Sequence, residues 1–201
     1  MRIVILSLLL VNIIACSKDE KAPSSIQGNQ YLNAEAFEVQ GEYQSKWSRE
    51  WSAIVFEELE NQNSILLSTS IKSSDLASLE CSEYPSLNRE HRKMFWTLFI
   101  SSIAHFESSF NPSLRYWEPS LGHYSEGLLQ LSTTDSSNYD FCNLSRSSIL
   151  EVRSNLQCGL SILAKQIEGS SRRSEGELFP RQYFYWSVLT RATTKSRLIN
   201  F

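Results

Sequence analysis

The sequence predicts a mostly α domain carrying a small β lobe beside its main helix. Three observations support this. The chain has 201 residues, 41% hydrophobic and 20% charged, which is enough for one sizeable core. Apolar residues recur at spacings of three and four in three long stretches, the period of a helix with one buried face. Between the second and third stretches that period stops, in an aromatic run punctuated by Pro and Gly.

The first 33 residues stand apart from that domain. "MRIVILSLLLVNIIACSKDE" opens with Arg2 and an apolar run from Ile3 to Ala15. The run is too short to span a bilayer and has the length of an export signal's apolar core. "Ile-Ile-Ala-Cys" resembles a bacterial lipobox, with Ile13 where leucine is more usual. The resemblance implies that residues 1–15 are removed, that Cys16 is lipidated, and that acyl chains hold the protein on a membrane. Ser17 after it points to the outer membrane, facing the periplasm. Residues 16–33 are polar, with Pro, Gly and Ser, and read as a tether. Residues 34–201 form the domain.

Within the domain, "SKWSREWSAIVFEELENQ" sets Trp47, Trp51, Ile54, Val55 and Leu59 on a helical stripe. "SSDLASLE" is a shorter helix. "NREHRKMFWTLFISSIAHFE" is the strongest, with Phe95, Phe99, Ile103 and Phe106 on one side, Ser86 or Asn88 as cap, and Asn111-Pro112 as its stop. "SLRYWEPSLGHYSEG" reads as a hairpin or irregular lobe. Helical spacing returns at Val152, Leu156, Leu160, Leu163 and Ile167, and Gly169 ends it. A last helix is expected in "RQYFYWSVLTRAT". Export permits disulfides. Of the three cysteines after Cys16, Cys142 and Cys158 flank one short segment and are the favoured pair, which leaves Cys81 as a free thiol.

Several chemistries find no support. The net charge of −3, with no long basic run, argues against nucleic acid. No Gly-rich loop cradles a phosphate, and no cofactor is expected. "GHYSEG" misses the nucleophile-elbow spacing by one residue. His105 and Glu107 match half of a zinc-deaminase signature whose cysteine half is absent. His91, His105 and His123 are expected at the surface or hydrogen-bonded, with no metal bound. What remains is Glu107, an acid closing an apolar helix. Desolvation there favours the protonated form, which suits a general acid.

The surroundings of Glu107 are informative. "ESSFNP" carries Glu107, Ser108, Phe110 and Pro112; "SEGLLQLS" carries Gly127, Leu128, Leu129, Gln130 and Leu131; Asn155 and Gly159 follow on a helix. In this order they resemble the lytic transglycosylase SLT domain of the lysozyme-like superfamily, over about residues 88–190. The resemblance implies a lysozyme-like α+β fold and cleavage of the β-1,4 bond between N-acetylmuramic acid and N-acetylglucosamine. Glu107 would be the general acid. Ser108, Gly127, Gln130 and Tyr139 match positions near the acid or lining the sugar groove, and Tyr116, Trp117, Tyr185 and Trp186 are aromatics that could stack on sugars. The family's A-Y-N-A-G stretch is absent; "QYFYWSVL" falls in its place, with Tyr183 or Tyr185 standing in for its tyrosine.

A transglycosylase needs one glutamate, whereas a hydrolase needs a second carboxylate, for which Glu118, Glu126 and Asp135 are candidates. The resemblance favours the transglycosylase. Lysozyme-type hydrolysis, a non-catalytic peptidoglycan-binding lipoprotein and an envelope-assembly adaptor are the rivals. The expected partners are glycan strands and, through the lipid, a membrane; the protein itself is expected to be a monomer.

Overall fold

A computed structural model describes residues 47–63, 65–182 and 184–190. The signal segment, Cys16 and the tether lie outside the described residues, as do Tyr183 and residues 191–201. Among the described residues there are five α-helices: α1 (Arg49–Asn61), α2 (Ile65–Ser68), α3 (Ser73–Ser78), α4 (Arg89–Ser108) and α5 (Val152–Ile167). Two antiparallel strands, β1 (Arg115–Glu118) and β2 (His123–Glu126), sit between α4 and α5, giving the expected mostly α, α+β architecture. Short 3-10 turns occupy Tyr84–Ser86, Thr133–Ser137 and Ser187–Leu189.

The apolar stripes pack against one another as their periodicity requires. α1 lies on α4 and α5. From α1, Ile54, Val55 and Leu59 are buried; from α4, Phe95, Phe99 and Ile103; from α5, Leu156, Leu160, Leu163 and Ile167. Ser48 caps α1, and of the two candidate caps for α4 it is Asn88 that accepts the His91 N–H, at 2.9 Å. The indole of Trp96 and the hydroxyl of Tyr84 both donate to the Leu66 carbonyl (2.7 and 3.2 Å), which lets these large polar-tipped rings lie fully buried.

Two expectations are corrected. The last helix is not seen among the described residues of that stretch: 181, 182 and 184–186 are irregular and Ser187–Leu189 makes a 3-10 turn. Tyr185 and Trp186 send their polar tips to Asp135 and to the Leu129 carbonyl. Cys81 is disulfide-bonded rather than free, and no cysteine among the described residues is free. The Cys142–Cys158 bridge forms as expected, with Cα atoms 4.1 Å apart.

Candidate functional site

Glu107 lies in the last turn of α4. The helix stops at Ser108, ahead of the proline expected to stop it, because Ser109 and Phe110 take left-handed conformations (φ 51° and 63°). A non-glycine residue there costs about 1 kcal/mol, offset by anchoring. The Phe110 ring is buried, with its centroid 6.0 Å from Trp47 and 5.4 Å from His105. Glu107 itself is half-buried. The sequence pattern suggested deeper burial, but the apolar stripe runs out in this turn, where Phe106 is half-buried too. Ser108 is buried, and its hydroxyl is spent on the Ala104 carbonyl at 3.0 Å.

The G-L-L-Q-L segment is built as a packing module. Gly127 adopts φ +78°, and a Cβ there would lie 2.7 Å from the Ile149 carbonyl and overlap the Asn155 amide. Its missing side chain therefore makes room for the Asn155 amide and the Ile149 carbonyl. Asn155, fully buried, accepts the Leu129 N–H (2.9 Å) and donates to the carbonyls of Ile149 (2.9 Å) and Glu126 (3.2 Å). One helical turn on, Gly159 leaves space for the Leu129 side chain. Gln130 is nearly buried, and its amide donates to the carbonyls of Gly127 (2.9 Å) and Leu114 (3.3 Å), tying the segment to the approach of β1.

The hairpin register separates the candidate carboxylates. Arg115 pairs with Glu126, Tyr116 with Ser125, Trp117 with Tyr124 and Glu118 with His123. Successive side chains alternate, so Arg115, Trp117, Tyr124 and Glu126 share one face, and Tyr116, Glu118, His123 and Ser125 the other. Glu126 is buried and ion-paired with Arg115 at 3.0 Å. Glu118, on the opposite face, is half-buried, and its carboxylate accepts a long hydrogen bond (3.4 Å) from Ser125. Tyr116, Trp117 and Tyr124 are exposed, the last two in edge contact at 5.0 Å.

Asp135 is buried, and one of its oxygens accepts both the Ser132 N–H (2.8 Å) and the Tyr185 hydroxyl (2.6 Å). Burial pushes its carboxyl above the ordinary range, opposed by those two hydrogen bonds and by the nearby charge of His123. Burial, then the charge of Asp135, pushes the Tyr185 phenol up strongly, and the same causes raise Tyr139. Tyr139 and Tyr185 are half-buried with ring centroids 6.2 Å apart; Trp186 is core, its indole donating to the Leu129 carbonyl at 3.0 Å. The Asp135–Tyr185 bond spans 50 positions and had no sequence signal; the Arg115–Glu126 pair was readable only once the hairpin register was fixed. Among the described residues, no group of three or more His, Cys, Asp or Glu side chains could hold a metal ion.

Three solved structures of Bd0314 DslA are similar to this chain. The wild-type form 2 has a TM-score of 0.65 and 27% identity, covering 79% of this chain and 92% of that one. Two variants, each with one glutamate replaced by glutamine, give TM-scores of 0.64 and 0.60 at 27% and 28% identity. They cover 79% and 76% of this chain, and 92% and 87% of theirs. The two replaced glutamates lie eleven positions apart, and Glu107 and Glu118 are the one pair of glutamates in this sequence with that separation. No protein-family model matches the chain, and no curated protein matches it.

Proposed function

We propose that this chain is a peptidoglycan-cleaving glycosidase in which Glu107 is the general acid and Glu118 the second carboxylate, giving lysozyme-type hydrolysis. Glu107 protonates the glycosidic oxygen as the bond from N-acetylmuramic acid to N-acetylglucosamine breaks. Glu118 either attacks the developing oxocarbenium ion, forming a glycosyl ester that a water deprotonated by Glu107 then cleaves, or itself activates the water that attacks directly. On either route one water is consumed and the muramic acid is left with a reducing end. The observation that carries this reading is the availability of Glu118. Glu126 is neutralised by Arg115 on the other hairpin face, and Asp135 is committed to Ser132 and Tyr185. Glu118 keeps a single long hydrogen bond among those described, and its separation from Glu107 is that of the glutamates replaced in Bd0314 DslA.

A second reading is supported by the SLT-like motifs. In a lytic transglycosylase Glu107 works without Glu118, and the 6-hydroxyl of the muramic acid closes a 1,6-anhydro ring. Mass spectrometry of digested sacculi, including de-N-acetylated glycan, separates the two. Reducing ends support hydrolysis and anhydro ends support transglycosylation. Glu107→Gln is expected to lower cleavage about 10²- to 10⁴-fold on either reading. Glu118→Gln is expected to do so only for the hydrolase. No product from any glycan preparation refutes both.

Export and lipid anchoring through Cys16 belong to the same proposal. Labelled palmitate should enter the wild type and not Cys16→Ser. A sulfur that carries a thioether-linked lipid cannot also form a disulfide, so the intact mass and the pairing of Cys81 are to be measured on the same sample.

A further inference from the structure

We propose that Trp47 is a positioning residue for Glu107: its indole holds the Phe110 ring, and through that ring the turn that fixes where the general acid stands. The proposal rests on the glycan-cleaving reading above and deepens it. Trp47 lies just ahead of α1, outside the residues that carry the SLT resemblance, so that resemblance gives it no role.

The start of α1 fixes the indole. Ser48 is the cap, so Trp47 occupies the position before it, from which a side chain commonly folds back onto the first helical turn. Here the return contact is both apolar and polar. The ring meets Trp51 edge-on at 5.4 Å, and its N–H donates to the Ser52 hydroxyl at 2.8 Å. Ser52 is buried, and Trp47 is 5% exposed. Because α1 packs on both α4 and α5, the indole stands on a rigid base.

From that base the indole reaches Phe110, with ring centroids 6.0 Å apart. Phe110 and Ser109 close the end of α4. Their N–H groups donate back to the carbonyls of Ala104 (3.5 Å) and His105 (2.9 Å), so Glu107 sits inside the loop that these two bonds close. Both closing residues hold a positive φ without being glycine, a conformation that persists only where the surroundings enforce it. The Phe110 bond is long and helix ends fray, so packing of the buried ring supplies the enforcement. His105, which the ring also meets, belongs to the same turn as Glu107 and moves with it. Trp47 comes from another element and can hold the turn in place. Upstream, α4 is anchored by a largely buried stretch from Lys93 to Ala104, whereas His105, Phe106 and Glu107 are half-buried. Loss of the indole therefore frees the last turn rather than the helix.

The test compares the full chain with Trp47→Leu, Trp47→Phe and Ser52→Ala. Steady-state cleavage of soluble, uncrosslinked glycan strands, native and de-N-acetylated, is followed at a temperature where circular dichroism shows each protein folded. Trp47→Leu keeps apolar bulk and should lower kcat about ten- to a hundredfold with KM within about twofold, since a small misplacement of a reacting group is costly. Trp47→Phe restores an edge-on ring and should bring kcat back to within about threefold of the wild type. Ser52→Ala, which releases the indole N–H, should fall between the two. Amide hydrogen exchange reads the turn without turnover: the Ser109 amide should exchange about tenfold faster in Trp47→Leu, while those of Ile100 and Ile103 stay unchanged. A lowered melting temperature with kcat within about twofold of the wild type would make Trp47 merely structural and overturn the proposal. A rise in KM at constant kcat, or equal losses in Trp47→Leu and Trp47→Phe, would overturn it as well. Unchanged exchange at Ser109 overturns it whatever the kinetics show. If Ser109 exchanges faster but the wild type cleaves nothing, the cleavage reading falls and the hold of Trp47 on the turn stands.

Discussion

Replacing Asn155 with alanine tests whether the G-L-L-Q-L segment is held as described. Asn155 is fully buried, and its amide serves three backbone groups. The Glu126 carbonyl keeps a partner after the change, since it also accepts the Leu131 N–H at 2.9 Å. The Leu129 N–H and the Ile149 carbonyl lose the partner described for them. Each buried group left unsatisfied costs about 1–3 kcal/mol, so the loss should be about 4 kcal/mol. That is a large share of the roughly 5–15 kcal/mol by which a domain is stable. At about 2–4 °C per kcal/mol, the melting temperature should fall by roughly 8–16 °C. A water entering the vacated space could soften this. Asn155→Leu fills the space, bars the water and should lose at least as much. Thermal unfolding followed by circular dichroism, with urea unfolding to give the free energy, measures both variants. A loss below about 1 kcal/mol in both would refute the reasoning.

Three further outcomes are expected. Gly127→Ala should destabilise by about 2 kcal/mol or more in the same urea assay, because φ +78° strains any Cβ and this one also meets Ile149 and Asn155; a neutral result would mean the turn can relax. Glu60 is held down to about 2 by hydrogen bonds from Arg89 and then Lys93, so its contribution is full above about 4.5 and is lost as pH falls through that window. The acid limb of the stability curve should therefore be shallower in Glu60→Gln, and high salt should shrink the difference because these groups are partly exposed; identical acid limbs would remove this role. Reducing Cys142–Cys158, which closes a loop of 16 positions, should cost about 3 kcal/mol on the chain-entropy account. Unfolding of Cys142→Ser/Cys158→Ser, which leaves Cys81 untouched, checks this without the ambiguity of a reductant.

The sequence by itself determined the elements whose cause is local. The buried faces of α1, α4 and α5 follow from a period of 3.6 residues, the start of α4 from Asn88, and the β lobe from the break in that period. The Cys142–Cys158 pair followed from two cysteines 16 positions apart around one segment. The acid at the end of α4 was legible as well, because a carboxylate on an apolar stripe is anomalous wherever the chain goes. What only the tertiary structure decided depends on groups far apart in sequence. Leu129 meets Asn155 across 26 positions and Asp135 meets Tyr185 across 50, so neither contact leaves a periodic trace. Those bonds turn Gly127 and Gln130 toward the protein's own backbone. The second of them anchors Tyr185 within residues 184–186, which run irregularly where a helix was expected. The pairing of β1 with β2 sorts the carboxylates by face, neutralising Glu126 with Arg115 and leaving Glu118 on the side of Ser125 and His123. Which acid can join Glu107 was therefore a question of which side of a two-stranded sheet each one occupies, and alternation fixes that only once the register is set.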